Sequence, residues 1–507
     1  MHPEKTYIKK KVIYIMSTKT RQKSENWNMI LKRYSAYILF FGILIFIPFF
    51  MENGYLNLTQ AKAHALYITI IPAAMILGIS LCIRGASIRG KRHDTQWKTS
   101  INGLDCILIG IAVTALLSSL FSQNVEAAFW GNKGWSVGAA TMLSLVAAYF
   151  ILSRCYARTV NAWFFVLVAN MALFLLTILH SMGIDIFGLH AAIVPKQYYL
   201  YVSTIGNVNW LSGYLCLILP AFFVFFMLST QRTSILLYGA ALILGIMNVL
   251  LCLSESIFVG IWVCAFFALP FVLKESGRVR RLGALLLSFG LCSLLIGLLP
   301  AFAGKRARAH GLFSIILDWK AALIICILGC LCCFLLPTLW KKFSPKTIQK
   351  IIAVCGIVMV FSLIMLIFVF LNSYNNNWGN NRGRIWNTSM ELFRNFNFKD
   401  KLIGVGPELL GQYFNGLTSH SLIVLTAHNE WLQWLLTTGI SGGILWAALF
   451  LWLIISYFRS HCREHEEIPF FLPLMAYLGQ AMLNSPNAMN ISLFYLFLAL
   501  YRKNLLG

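Results

Sequence analysis

Charge is scarce in this chain, and negative charge is scarcest. Of 507 residues only 11% are charged, and 17 Asp+Glu stand against 41 Lys+Arg. That shortage excludes a soluble globule, which needs about a quarter of its residues charged to cover its surface. The 13 cysteines lack the paired loop spacing of a disulfide or zinc framework and fall mostly within apolar runs, as at Cys106, Cys216, Cys264 and Cys292. The densest group, Cys326, Cys330, Cys332 and Cys333, has no neighbouring His or carboxylate, so it reads as helix packing and no metal site is expected. No internal duplication is visible, which disfavours the repeat architecture of secondary transporters. Residues 1–33 hold Lys5, Lys9, Lys10, Lys11, Lys19, Arg21, Lys23 and Lys32 without an apolar core or a small-residue cleavage site, so a basic cytoplasmic tail is expected, followed by an uncleaved anchor rather than a removed signal.

Apolar residues fill the space that charge leaves. They make up 59% of the chain, and mean hydropathy is +0.74. Runs near 20 residues can cross a bilayer as helices, whereas a barrel would show weaker alternating segments. The expected class is therefore an all-α polytopic membrane protein. Candidate spans are 34–51, 65–83, 104–121, 138–152, 161–182, 210–228, 234–253, 257–273, 282–302, 319–339, 348–371, 440–458, 470–482 and 491–501. They give about twelve to fourteen helices, the last few being short. Residues 34–371 thus hold the first eleven, 372–427 form one large loop, and 428–507 hold the C-terminal helices.

The net charge of +24 follows this topology. In a soluble protein it would suggest nucleic acid, but no arginine-rich or aromatic nucleic-acid motif accompanies it, so no nucleic-acid partner is expected. The basic loops 84–98, 154–158, 274–281, 341–350 and 459–463 alternate with poorer loops at 52–62 and 122–136. The positive-inside rule then places both termini in the cytoplasm and residues 372–427 outside. Two external loops depart from the rule: 303–318 carries Lys305, Arg306, Arg308 and His310, and 372–427 carries Arg382, Arg384, Arg394, Lys399 and Lys401. An anionic ligand is the simplest reason for such cations there. Within the longer loop, residues 390–398 have helical spacing for a short interfacial helix, and Gly404-Val405-Gly406-Pro407 supplies a turn.

After that loop comes His428, at the start of a helix that Thr426 can cap and whose first turn holds Glu430. An imidazole at a membrane surface, beside a loop with paired arginines, suits chemistry on a lipid diphosphate. Gly439 and Gly442 further on end or kink the helix and permit close packing.

His428-Asn429, followed after nine residues by Gly439-Ile440-Ser441-Gly442, resembles the signature of the O-antigen ligase and O-antigen polymerase superfamily of membrane glycosyltransferases, O-oligosaccharyltransferases included. Gly383-Arg384-Ile385-Trp386 and Leu402-Ile403-Gly404-Val405-Gly406-Pro407 resemble the family's external loop, and Gly206-Asn207-Val208-Asn209, with Pro220 in the next span, its mid-chain segment. The resemblance covers roughly residues 206–443. It implies a GT-C-like fold in the bacterial cytoplasmic membrane. It also implies transfer or polymerisation of an undecaprenyl-diphosphate-linked oligosaccharide onto the hydroxyl of a glycan, lipid or protein acceptor, with no cofactor. The absence of Asp-x-Asp from the external loops agrees with a reaction that needs no metal.

By the resemblance, Arg384 grips the diphosphate with Arg382 as a helper, and His428 either handles the acceptor proton or hydrogen-bonds the diphosphate. Many ligases of the family carry a Ser-Arg pair on a mid-chain external turn, but here that turn is Ser254-Glu255-Ser256. Either Lys305, Arg306 or Arg308 replaces the missing cation, or the donor differs, or Glu255 acts as a base toward the acceptor; a plain cap is the structural alternative. Asn207, Asn209, Asn429 and Glu430 are candidate sugar or acceptor contacts, the first two being equally suited to capping a helix. Trp130, Gly131, Lys133 and Trp135 form a further cluster that suits an interfacial belt better than a sugar site. A transporter or flippase of the same lipid-linked glycan is the rival reading; charges in mid-span would favour it, but Asp105 and Asp318 lie near span ends.

Overall fold

The computed structural model describes residues 27–88, 101–131, 135–414, 424–459 and 464–506. Most of the basic tail, residues 89–98 and 460–463 of two basic loops, and Lys133 lie outside them.

Backbone amides inside a bilayer must be satisfied within the segment, so long apolar runs become helices. The principal helices are α1 (Trp27–Phe49), α2 (Leu58–Ile88), α3 (Gly103–Leu120), α4 (Ala139–Cys155), α5 (Val160–Ser181), α6 (Val208–Leu228), α7 (Arg232–Cys252) and α8 (Ser256–Leu273). They continue as α9 (Ser276–Leu298), α10 (Trp319–Trp340), α11 (Pro345–Ser373), α12 (Trp378–Asn395), α13 (Phe398–Ile403), α14 (Glu430–Arg459), α15 (Glu464–Ala481) and α16 (Ala488–Leu506). Among the described residues, 11 helices are long and apolar enough to cross a membrane, and α4 is a shorter apolar one. The protein is an all-α integral membrane protein, and each expected span falls in one of its helices. A two-stranded antiparallel hairpin, Tyr201–Val202 with Gly206–Asn207, interrupts the helices just before α6.

Helix α6 is buried along most of its length and packs with α15, while α16 packs on α4. The cysteine-rich part of α10 packs on α9 through glycines: a Cβ on Gly283 would lie 2.3 Å from the Cys333 amide nitrogen, and one on Gly290 would lie 2.6 Å from Cys326 Sγ. That close approach is the packing role expected of those cysteines.

The loop expected at 372–427 is in fact largely helical. Helix α12 begins at Trp378, well before the short helix expected at 390–398, so the Arg382 to Trp386 stretch is carried on a helix. Its apolar side buries Ile385, Leu392 and Phe396 against Val405, Leu410, Phe414, Val424, Ala427 and Leu436, which form a small core separate from the main one. A polar loop could not have held that core together; an amphipathic helix can.

Two buried charges close the bundle. Lys62 in α2 donates 2.8 Å hydrogen bonds to the carbonyls of Ile47, Pro48 and Phe50, satisfying the end of α1. At the start of α3, the Asp105 carboxylate accepts from Arg502 Nε (2.9 Å) and Nη2 (2.8 Å), from Arg154 Nη2 (3.0 Å) and from Tyr149 Oη (2.7 Å). This clamp ties α3, α4 and α16 at one end of the bundle. Arg502→Ala should cost ~3–5 kcal/mol, because it leaves a buried carboxylate underpaired; unfolding in mixed micelles measures this, and a cost below about 1 kcal/mol would show that Arg154 and Tyr149 suffice.

Candidate active site

Helix α14 is broken. Gly439 adopts φ 70° and ψ −172°, in a region that glycine reaches without a Cβ clash. The break exposes carbonyls of the preceding turn, and those of Leu436 and Thr437 find donors from elsewhere. Val405 N–H donates to Leu436 O (3.2 Å), and Thr437 O accepts from Gly406 N–H (3.1 Å) and Ser118 Oγ (2.5 Å). The contact is backbone on backbone: a Cβ on Gly404 would lie 2.2 Å from Thr437 O, and one on Gly439 would lie 2.4 Å from Leu402 C. Thus the Gly404 to Gly406 turn is seated in the break, and the short half of α14 is held against α3.

That half-helix carries His428 just ahead of its first turn. Asn429 caps it, its Oδ1 accepting the Leu432 amide at 3.1 Å, whereas Thr426, the cap expected from sequence, bonds Ser485 Oγ at 2.6 Å. Its hydroxyl is therefore committed to the loop between α15 and α16. His428 itself sits at φ 47°, left-handed and rare for a residue with a Cβ. Flanking bonds hold it there: Ala427 N–H donates to Gln433 Oε1 at 2.9 Å, and the indole of Trp386 donates to Ala427 O at 3.0 Å. Trp386 thereby anchors α12 directly beside the histidine.

On α12, Gly379, Asn380 and Asn381 are all left-handed, and regular helix starts at Arg382. A Cβ on Gly383 would meet Asn375 O at 2.0 Å, so only glycine permits this close turn. The turn aims Arg382 inward and leaves Arg384 exposed. Arg382 Nη1 makes one long bond to Gly379 O (3.4 Å), and its buried Nε has no hydrogen-bond partner among the described residues. Burial and the positive charge of Arg382 push the His428 pKa down to about 4, so the imidazole is neutral at physiological pH. Arg382 in turn feels the carboxylate of Glu255. The structure thus brings together Arg382, His428 and Glu255, which are distant in sequence.

Glu255 precedes α8 and accepts the Leu312 amide at 3.3 Å. Its neighbours Ser254 and Ser256 belong to a polar network with Asn209, Ser212 and Asn484: Ser254 Oγ donates to Asn209 Oδ1 at 2.7 Å, and Asn484 Nδ2 donates to Ser256 Oγ at 2.8 Å. Asn209 is therefore engaged behind the site, and Asn207 caps α6 by accepting the Asn209 amide at 2.8 Å. Glu430 is buried and receives the Tyr477 hydroxyl at 2.5 Å.

Arg306 and Arg308 make their contacts elsewhere. Arg306 caps the carbonyl of Gly297 near the end of α9. Arg308 lies over the Tyr199 ring at 4.7 Å and bonds Gly304 O at 3.0 Å. Trp135 packs edge-on against Trp210 at 5.7 Å, consistent with a belt role.

Residues 311–447 match the family model described as O-antigen ligase. That match, over about a quarter of the chain, supports the O-antigen ligase superfamily. Comparison with curated proteins gives no match. The matched stretch contains Arg382, Arg384, His428 and the Gly439 break, and it starts after Asn207, Asn209, Glu255, Arg306 and Arg308. The match supports a glycosyltransferase-like role in surface polysaccharide synthesis within a membrane, a family role that implies a lipid-linked glycan and an acceptor as partners.

Sequence reasoning ranked Arg384 above Arg382 because a motif match cannot show which way a side chain points. The left-handed Gly379-Asn380-Asn381 run was the available signal, since asparagine tolerates that conformation. Tyr477, Trp386 and Ser485 carried no signal of this kind. Gly404→Ala should displace the seated turn from α14 at a cost of ~1–3 kcal/mol, seen as several-fold faster trypsin cleavage at Lys399 or Lys401 in detergent. Unchanged cleavage would mean the break tolerates a side chain.

Proposed function

We propose that the protein transfers or polymerises an undecaprenyl-diphosphate-linked oligosaccharide onto an acceptor hydroxyl at the external membrane face. In the step, the acceptor oxygen bonds the anomeric carbon while that carbon's bond to the diphosphate oxygen breaks. The hydroxyl proton passes to His428, and undecaprenyl diphosphate departs with the bonding electron pair. Arg382 holds the departing diphosphate, Arg384 screens it from the outer edge, and Asn429 positions the imidazole through its helix cap.

One observation carries this reading: a guanidinium whose buried Nε has no partner among the described residues stands beside an imidazole kept neutral by burial and by that same guanidinium. A guanidinium that has the field of one carboxylate but an Nε without an acceptor among the described residues is poised for a further anion, and only a neutral imidazole can accept a proton. Donor binding then has two electrostatic effects. The diphosphate neutralises Arg382, and the part of the His428 pKa depression due to that charge is relieved while the larger part due to burial stays, which makes the imidazole a somewhat better base once the donor is in place.

Arg382→Ala should lower kcat about a hundred- to a thousandfold, the usual loss for an oxyanion donor, and Arg384→Ala less than about tenfold. Near-normal transfer in both Arg382→Ala and His428→Ala at normal abundance would sink the enzyme reading and promote the transport one. The pH profile gives an independent check, because kcat/KM reports the free enzyme. The working form is the neutral imidazole, so activity should persist as pH falls through 6 and be lost only on approach to the folded pKa of about 4. Arg382→Gln should move that acid limb upward, but only part of the way to the ordinary histidine value of ~6.5, because burial, the larger cause, remains. A wild-type limb already at the ordinary value would mean the guanidinium does not act on His428.

Glu255 competes with the donor for Arg382. Glu255→Gln should therefore leave donor affinity equal or tighter, measured as the donor Kd in nanodiscs; a tenfold loss would show instead that the carboxylate holds Arg382 in place.

A further inference from the structure

A second cavity, of about 560 Å³, opens between the end of α5, the segment 183–202 and the segment 300–308. It lies within the ~300–1,000 Å³ range of small-ligand pockets. Its walls combine three kinds of group. Lys305 is buried and donates to a single carbonyl, Tyr199 O, at 3.1 Å, and burial pushes its pKa down to about 8. Arg308 stands exposed over the Tyr199 ring. Tyr198 and Tyr199 are part-exposed at 40% and 36%, and Tyr198 is braced by the His190 ring at 4.7 Å.

Asp185 also lines the cavity, but its carboxylate is occupied: Leu189 N–H and His190 N–H donate to it at 2.9 and 2.8 Å. It stays ionised and offsets one of the two cations, so the cavity keeps a net positive charge, and the remaining lone pairs of its oxygens can accept from a sugar hydroxyl. Two neighbouring cations suit one small anionic group, and tyrosine faces suit the apolar face of a pyranose ring. A diphosphate uses no ring face. A neutral sugar would not repay the burial of an ammonium that has one partner.

We propose that this cavity binds a carboxylated sugar residue of the donor's glycan, with Lys305 and Arg308 on its carboxylate and Tyr198 and Tyr199 on its ring. The segment that supplies Lys305 and Arg308 continues to Leu312, whose amide bonds Glu255 beside Arg382. A donor with its diphosphate at Arg382 thus extends its sugars along this segment into the cavity. The inference rests on the transfer reading above for the word donor, and on the cavity alone for the ligand class.

The test uses the full chain in nanodiscs and two probes, a hexuronate-containing trisaccharide and its carboxyl-reduced counterpart. The acidic probe should bind, the reduced one at least tenfold more weakly, and Arg308→Ala and Tyr198→Ala should each cost at least fivefold. Both side chains are exposed enough to be removed without unfolding the protein. In transfer assays the acidic probe should compete with the donor. Equal binding of the two probes, no effect of either variant, or displacement of the acidic probe by inorganic diphosphate at lower concentration than by itself would overturn the assignment. Competition with the acceptor alone would move the cavity to the acceptor and overturn the donor claim. Equilibrium binding does not require turnover, so failure of the transfer reading, seen as normal transfer in the Arg382 and His428 variants, is distinguishable from failure here.

Discussion

The site depends on one requirement, that the carbonyls freed by the break at Gly439 be satisfied in a medium without water. An unpaired carbonyl there costs several kcal/mol. Val405, Gly406 and Ser118 meet that requirement, and in doing so they fix three parts of the protein to one another. The turn after α13 is seated on α14, α14 is held to α3, and the small core of α12 is closed over Leu436. Remove the break and the amides of Val405 and Gly406 lose their acceptors. Remove the turn and the break is left unsatisfied.

Helix α3 transmits this arrangement across the bundle. Ser118 near one end reaches the broken helix, and Asp105 near the other is clamped by Arg502, Arg154 and Tyr149. The two are ~20 Å apart at 1.5 Å per residue. A buried carboxylate with four donors does not slide, so the helix that supports the site is pinned in register. The polar network of Asn209, Ser212, Ser254, Ser256 and Asn484 does the same on the other side, fixing the turn that presents Glu255.

Charges within the site are arranged so that no pair is fully satisfied before a ligand arrives. Arg382 has the field of Glu255 but keeps its Nε free of hydrogen bonds among the described residues. His428 is neutral because it is buried and, to a lesser extent, because Arg382 beside it is charged. Such a site costs folding stability in its empty state, and the firm backbone frame around it is what keeps it from collapsing.

The sequence by itself determined the class, the positions of the spans and the candidate stretch for the chemistry, because each follows from local physics. Apolar runs of bilayer length must be helical, Gly439 can break a helix, and glycines at 404 and 406 can turn sharply. The residues Arg382, Arg384 and His428 were legible as a group for the same reason, being rare polar residues in a greasy chain. Only the tertiary structure decided which arginine faces the histidine. Side-chain direction on α12 is set by the left-handed run before it and by Trp386 reaching Ala427, a contact 41 positions apart. It also decided that Thr426 bonds Ser485 while Asn429 caps, that Arg306 and Arg308 serve a different wall from Arg382, and that Asp105 is a clamp. Each of these is a choice of partner between segments far apart in the chain, and local composition carries no term for it.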